Sequence, residues 1–117
     1  MDEREFKRRT KTLALDAIEL VEALPKSRTS DVIGRQLIRS ATSVGANYRS
    51  ACRGKSTADV IAKLAIVEEE ADETIYWLEL LIEVKIVAES HLSNLITQAN
   101  EIVAMTVASI KTLRGRR

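Results

Sequence analysis

The chain has 117 residues, of which 45% are hydrophobic and 30% are charged, and its formal net charge is +1. This composition is typical of a folded, helix-rich protein and excludes a disordered one. Because the total charge is nearly neutral, it gives no sign of nucleic-acid binding, and the distribution of charge along the chain matters more.

The first predicted helix covers approximately residues 3–24. Its apolar residues recur at spacings of three and four, which is the pattern of a helix with one buried face. The proline at position 25 disfavours a helical conformation at the residue before it, so we expect the helix to end at Leu24. The stripe comprises Phe6, Thr10, Leu13, Ala14, Ala17, Val21 and Leu24.

The second predicted helix covers approximately residues 30–53. Ser30 or Thr29 should cap it, with Asp31 in the first turn, because a side-chain oxygen there accepts from the unpaired backbone N–H groups. Gly54 is a typical residue at which a helix ends. The apolar stripe comprises Ile33, Leu37, Ala41, Val44, Tyr48 and Ala51.

Two further helices are predicted, over approximately residues 57–86 and 91–113. Ser56 and Asp59 resemble a capping box before the third helix, and Ser90 is the expected cap of the fourth. Gly115 should stop the fourth helix, which leaves residues 116–117 as a short basic end. The third stripe includes Ile61, Leu64, Ala65, Ala71, Ile75, Leu78 and Ile82, and the fourth includes Leu92, Leu95, Ile96, Ala99, Ile102, Val103, Met105, Thr106, Ile110 and Leu113.

Four such helices joined by short turns predict an all-α, antiparallel up-down four-helix bundle. The chain contains one proline and four glycines, and no segment shows the alternating pattern of a strand. We expect a single domain over residues 1–117, because this length is enough for one hydrophobic core.

The second and third predicted helices carry opposite charge. Residues 31–55 contain one acid and five bases, a net of +4, whereas residues 56–86 contain eight acids and two bases, a net of −6. The two helices are therefore expected to lie side by side in the bundle.

A polar face accompanies the apolar stripe of the second helix. Gln36, Ser40, Ser43 and Asn47 follow one another at steps of four, three and four, which places them on one side of a helix. We expect a buried or subunit-facing network that links Arg39, Gln36 or Asn47 to Glu73 or Asp72, since buried polar atoms need partners. Direct contact of the same groups with a ligand is the alternative. Glu68 and Asp72 lie near the third stripe, so one of them is expected to be partly buried.

Tyr76 and Trp77 stand between two other large apolar residues of the third helix. Neighbouring large side chains cannot all face one core, so one of the two aromatics should cover a helix seam or an oligomer interface.

No catalytic or metal-binding pattern is present in the sequence. The one histidine, His91, lies near a predicted helix start and lacks the Glu-x-x-His spacing of a di-iron bundle. The one cysteine, Cys52, has no histidine partner on its helix and cannot form an intrachain disulfide. We expect no enzymatic activity, no cofactor and no membrane-spanning segment, and a cytoplasmic location.

The motif Gln36-Leu37-Ile38-Arg39-Ser40-Ala41-Thr42-Ser43-Val44-Gly45-Ala46-Asn47 resembles the bacterial 23S rRNA intervening sequence protein family, as do Ser56-x-x-Asp59 and the segment from Glu70 to Glu79. Many members continue after the asparagine with Ile-Ala-Glu-Gly. This chain has Tyr48-Arg49-Ser50-Ala51, so it resembles a sub-branch that carries Tyr-Arg and Trp-Leu-Glu.

The resemblance implies a four-helix bundle that assembles as a ring-shaped homopentamer. Some members are encoded within insertions in 23S rRNA genes, and relatives include accessory proteins of diversity-generating retroelements, which bind nucleic acid and a reverse transcriptase. By the same resemblance, Gln36, Arg39, Ser40, Ser43, Asn47 and Glu73 are the motif positions.

Two functions are therefore expected as alternatives. In the first, the protein is a non-catalytic RNA- or DNA-binding scaffold, in which the surplus bases Arg49, Arg53 and Lys55 contact phosphates. In the second, the protein is a structural or protein-interaction oligomer, and the acids of the third helix neutralise the bases of the second. An enzyme is a distant third.

Overall fold

The structure, a computed structural model, describes residues 2–115 and contains four helices with no strand in that range. They form the antiparallel up-down four-helix bundle that the sequence predicts, with overall dimensions of 48 × 21 × 20 Å. Short turns join the helices, so each reverses direction and packs against its predecessor. The helices are α1 Glu3–Glu22, α2 Arg28–Cys52, α3 Thr57–Glu83 and α4 Glu89–Gly115.

Each helix contacts two neighbours around the bundle. Within residues 2–115, α2 packs most extensively against α3 and α1 packs least against α4, while no Cα atoms of the diagonal pairs lie within 8 Å of each other. Helices α1 and α3 therefore occupy opposite corners, and surfaces formed by α1 face away from surfaces formed by α3.

The buried residues recur at steps of three and four, which is the spacing of helices that follow one another along a bundle. On α3 this spacing buries Val67, Thr74 and Leu81 as well as the predicted Leu64 and Leu78. Three other residues assigned to the stripe, Ala65, Ile75 and Ile82, are only half-buried. The prediction placed apolar residues at the period of an isolated helix, about 3.6 residues, whereas the buried residues of packed helices repeat about every 3.5 residues. The difference accumulates over the length of α3.

Serines cap the N-termini of two helices. Ser27 caps α2, because its side chain accepts from the backbone N–H of Ser30 over 3.1 Å, so the prediction of Ser30 or Thr29 was wrong. Ser56 caps α3 as predicted and accepts from Asp59 N over 3.1 Å. The Asp59 carboxylate accepts from Lys55 N over 3.0 Å. In a standard capping box it would accept from the N–H of the cap residue, here Ser56.

Helix α3 ends at Glu83, before the predicted boundary at 86, because the chain turns in a Schellman motif. Lys85 has a φ of 64°, its N–H donates to Ile82 O, and Ile86 N donates to Leu81 O over 3.0 Å. A lysine gives no sequence signal for this left-handed conformation. The other boundaries lie within two residues of the prediction. Helix α1 ends at Glu22, and α4 covers Glu89–Gly115, so the predicted cap Ser90 lies inside the helix. The predicted basic end at residues 116–117 lies outside the described residues.

Candidate nucleic-acid interface

A polar network joins α2 to α3 at the surface of the bundle. Arg39 Nη1 donates to Glu70 Oε2 over 2.9 Å, and its Nη2 donates to Glu73. Gln36 Oε1 accepts from Arg39 Nε over 3.3 Å, and Trp77 Nε1 donates to Glu73 Oε1 over 3.2 Å. The structure thus contains the predicted contact between Arg39 and Glu73, with Glu70 as a second acceptor.

The charges of this network stabilise one another. The hydrogen bond from Arg39 lowers the pKa of the Glu73 carboxyl below its usual range, and the bond from Trp77 acts in the same direction. The hydrogen bond to Glu73 in turn raises the pKa of Arg39. Two carboxylates neutralise Arg39, so this residue links α2 to α3 and is unsuited to binding a phosphate.

The four polar motif residues of α2 do not share one surface. Ser40 is fully buried and its hydroxyl accepts from Thr74 on α3 over 3.0 Å. Asn47 donates to Ser43 on its own helix, over 2.9 Å to the carbonyl and 2.8 Å to the hydroxyl. The predicted link from Asn47 to the acids of α3 is therefore absent, because its amide is used within α2.

Asp72 lies outside the polar network, contrary to prediction. Its side chain is exposed and it forms no hydrogen bond or ion pair within residues 2–115. Glu70 occupies the position in the network that was assigned to Asp72, and only 14% of the Glu70 side chain is exposed. Residues two positions apart on a helix point about 200° apart, so Glu70 and Asp72 lie on nearly opposite sides of α3, and the prediction placed the wrong one towards Arg39. Glu68 is half-buried, as one of the predicted pair was expected to be.

An apolar seam continues from the polar network along α2 and α3. We define it as Val32, Tyr76, Trp77, Leu80 and Val84. Val32 precedes Arg39 by seven residues and Leu80 follows Glu73 by seven, so the antiparallel packing places them at the same level. Tyr76 is 53% exposed, Val32 51% and Val84 49%, and the two aromatic rings meet edge to face at 5.1 Å.

A basic groove lies on another face, between α1 and α2, with a volume of about 540 Å³. Small residues form its floor, and no acid lines it. Adding a Cβ at Gly45 would bring it to 3.3 Å from Thr10 Oγ1, so the two helices approach closely under the floor. The rims carry Arg4, Lys7, Arg8, Lys11 and Arg49, and the floor is formed by Thr10, Ala14, Thr42, Gly45 and Ala46.

The charges of the basic groove are mostly available to a ligand. Within residues 2–115, Arg4, Lys11 and Arg49 form no ion pair, and all three are exposed. Lys7 pairs with Glu3 over 3.4 Å, and Arg8 pairs with Glu5. These pairs join neighbouring turns of one exposed helix, where an ion pair contributes little to stability and readily exchanges for another anion.

The structure separates the three bases predicted to contact nucleic acid. Arg49 lines the basic groove, whereas Arg53 and Lys55 are exposed beyond its end, in the turn from α2 to α3. The four bases of α1 were missed. Their signal in the sequence is the spacing of Arg4, Lys7, Arg8 and Lys11, which repeats every three to four residues.

The cysteine and the histidine considered in the sequence analysis lie apart from the basic groove. Burial raises the pKa of the Cys52 thiol, so it is a weaker nucleophile than an ordinary cysteine at neutral pH. His91 is exposed at the start of α4. Residues 2–115 contain no cluster of histidine, cysteine and carboxylate side chains that could hold a metal ion. In the same range, no helix has both the length and the apolar character needed to cross a membrane.

Comparison with known proteins supports the resemblance seen in the sequence. Residues 3–108 match the family model described as 23S rRNA-intervening sequence protein. A crystal structure of a protein of unknown function from the S23 ribosomal protein family of Bacteroides thetaiotaomicron has 34% sequence identity and a TM-score of 0.88, covering 95% of this chain and 99% of that chain. None of the curated proteins compared with the chain matches it. The chain belongs to the 23S rRNA-intervening sequence protein family.

Proposed function

We propose that the protein is a non-enzymatic, oligomeric scaffold that binds RNA or DNA through the basic groove. The observation that carries this proposal is the lining of the groove, where five bases surround a floor of small residues and no acid contributes. Such a surface attracts phosphates although the whole chain is nearly neutral, because charge acts over roughly 8 Å at physiological salt.

The distribution of acids supports the same function. Of the acids on α3, Glu70 and Glu73 neutralise Arg39, but neither pairs with Arg49. The diagonal position of α3 keeps its remaining carboxylates away from α1, where four of the five groove bases lie. The alternative, in which α3 neutralises the bases of α2, therefore accounts for Arg39 and leaves the basic groove unexplained.

Binding should be tested by fluorescence anisotropy with a labelled RNA hairpin at increasing salt. The slope of log K against log salt should be steep and should fall by about two units in the double variant Lys11→Ala/Arg49→Ala, since each phosphate contact contributes about one. The matched control is Lys111→Ala/Arg114→Ala, which removes one lysine and one arginine from α4. Absence of binding at about 50 mM salt, or equal losses in both variants, would disprove the proposal.

The apolar seam supports self-association as the second part of the proposal. Its exposed apolar side chains lie beside the neutralised polar network, and apolar and aromatic residues next to neutralised charges are typical of a protein interface. The homopentamer is the assembly that the family resemblance implies, and Tyr76 and Trp77 are the proposed contacts. A purely structural or protein-binding oligomer would use the same seam without any ligand in the basic groove.

Light scattering during size-exclusion chromatography measures this assembly. The unmodified chain should elute at five times the monomer mass, and Tyr76→Glu should shift it towards the monomer because a buried carboxylate lacks a partner. Leu15→Glu, at an exposed apolar position of α1, is the control. A monomeric unmodified protein, or dissociation by Leu15→Glu alone, would contradict an interface at the seam.

A further inference from the structure

We propose that the basic groove selects double-stranded nucleic acid over single strands by binding the phosphate backbone. This inference rests on the proposed function and specifies its ligand. It depends on two observations. The groove carries a dense row of cations, and it contains no aromatic ring on which an unpaired base could stack.

The aromatic residues of the chain lie away from the basic groove. Phe6 and Tyr48 stack on each other with ring centroids 4.0 Å apart, and both are buried in the core. Tyr76 and Trp77 belong to α3, at the opposite corner from α1. Proteins that hold single strands gain about 1–3 kcal/mol per base from stacking on aromatic rings. The groove cannot supply this contribution.

The floor of the groove offers little to a base edge. The Thr10 hydroxyl donates to Lys7 O over 3.0 Å, and the Thr42 hydroxyl donates to Ile38 O over 2.7 Å. Both protons are therefore used by the helix backbone, and the other floor residues have no polar side chain. No asparagine, glutamine or acid lines the groove to read a base. The floor therefore contributes no base reading, and binding should depend mainly on the attraction between the rim cations and the phosphate backbone.

The bases on α1 match the charge density of a duplex. Arg4 and Lys11 are separated by seven residues, or about 10 Å along the helix. Over that length a duplex carries about six phosphates, about three on each strand, because the charge spacing along its axis is about 1.7 Å for both strands together and about 3.4 Å for each. With Arg49 on the opposite rim, the five cations are better neutralised by two strands than by one.

The experiment compares four labelled probes by fluorescence anisotropy with the full chain: an unstructured RNA strand, the same strand annealed to its complement, and the corresponding DNA strand and duplex. We expect the duplexes to bind about tenfold or more tightly than their strands at about 100 mM salt. Tighter binding of either duplex supports the inference, and the RNA and DNA arms identify which sugar the groove accepts. Equal or tighter binding of single strands overturns it and leaves the proposed function standing, whereas no binding of any probe removes both.

A second variant tests the groove without changing its charge. Ala46→Met places a long side chain on the exposed floor and should weaken duplex binding several-fold, while Ala104→Met, at an exposed position of α4, should leave it unchanged. Circular dichroism verifies that both variants remain helical. Unchanged duplex binding by Ala46→Met would show that the phosphates do not enter the groove and would overturn the inference.

Discussion

Thr74 on α3 donates a hydrogen bond to Ser40 on α2 over 3.0 Å, and both side chains are fully buried. Each hydroxyl also lies within hydrogen-bond distance of its own helix, with Ser40 Oγ 3.3 Å from Leu37 O and Thr74 Oγ1 2.8 Å from Glu70 O. The small side chains let α2 and α3 approach closely while their polar atoms remain satisfied. Ser40 is therefore a packing residue of the family motif and does not face a ligand.

Removing this hydroxyl pair should reveal a coupling between the two helices. We expect Thr74→Val and Ser40→Ala each to lower the free energy of unfolding by about 1 kcal/mol, because each leaves a buried partner with one bond fewer. The double variant should cost about 0.5–1 kcal/mol less than the sum, since the shared bond is lost once. Urea unfolding measures the cycle, and Thr112→Val, at an exposed position, serves as the control. Strict additivity would show that the two hydroxyls do not interact.

The polar network should give the protein a pH-dependent stability. Glu73 has a folded-state pKa below its ordinary value of 4.5, so its contribution is fully present above that value and is lost as the pH falls through the lower folded pKa. We expect Arg39→Met to lower the free energy of unfolding by about 1 kcal/mol at pH 7, a modest value because the pair is partly exposed. The difference from the unmodified protein should shrink as the pH falls below 4.5 and through the lower folded pKa of Glu73.

Urea unfolding at several pH values measures this dependence. Arg35→Met is the matched control, because Arg35 is an exposed base of the same helix whose guanidinium contacts only a backbone carbonyl within residues 2–115. Its effect should stay within about 0.5 kcal/mol and should not vary with pH. A cost for Arg39→Met that remains constant down to pH 2 would mean that lost packing, and not the ion pairs, destabilises the variant.

The fold could be predicted from the sequence because its determinants are local. Apolar spacing, the turn at Pro25 and the Ser56 cap each act within a few residues, and together they specify four helices in the right order. The end of α3 could not be predicted in the same way. It depends on Lys85 accepting a left-handed conformation, which the packing of the turn imposes against the preference of the side chain.

The candidate site was predicted only in part, because it depends on how helices are rotated against one another. The contact between Arg39 and Glu73 was among those expected between the oppositely charged helices, whereas the place of Glu70 in the network depends on the orientation of α3. The basic groove combines Arg49 with bases of α1 that no contiguous motif connects. Only the packing of α1 on α2 brings these charges to one surface.

Gly54 is required for space and not for its backbone conformation. The sequence predicted that a helix ends at Gly54, where a left-handed glycine is common, but no glycine within residues 2–115 has a positive φ. A Cβ at this position would lie 2.3 Å from Val60 Cγ2 and 3.1 Å from Ala51 O. We expect Gly54→Ala to lower the free energy of unfolding by about 1–3 kcal/mol, as measured by urea unfolding. Gly115→Ala has no atom within 4 Å of the new Cβ and should change stability by less than about 0.5 kcal/mol.

Lys85 occupies the position at which a Schellman motif normally has glycine. Its φ of 64° brings the Cβ of an L-residue close to the following carbonyl oxygen, at a cost of about 1–2 kcal/mol. Lys85→Gly should therefore raise the free energy of unfolding by about 0.5–1 kcal/mol, since the greater backbone entropy of glycine in the unfolded chain offsets part of the relief. Lys85→Ala removes the same charge but keeps the Cβ, so it should give no gain. Thermal unfolding of both variants separates the two causes, and an equal rise in Tm would assign the effect to charge and refute the backbone explanation.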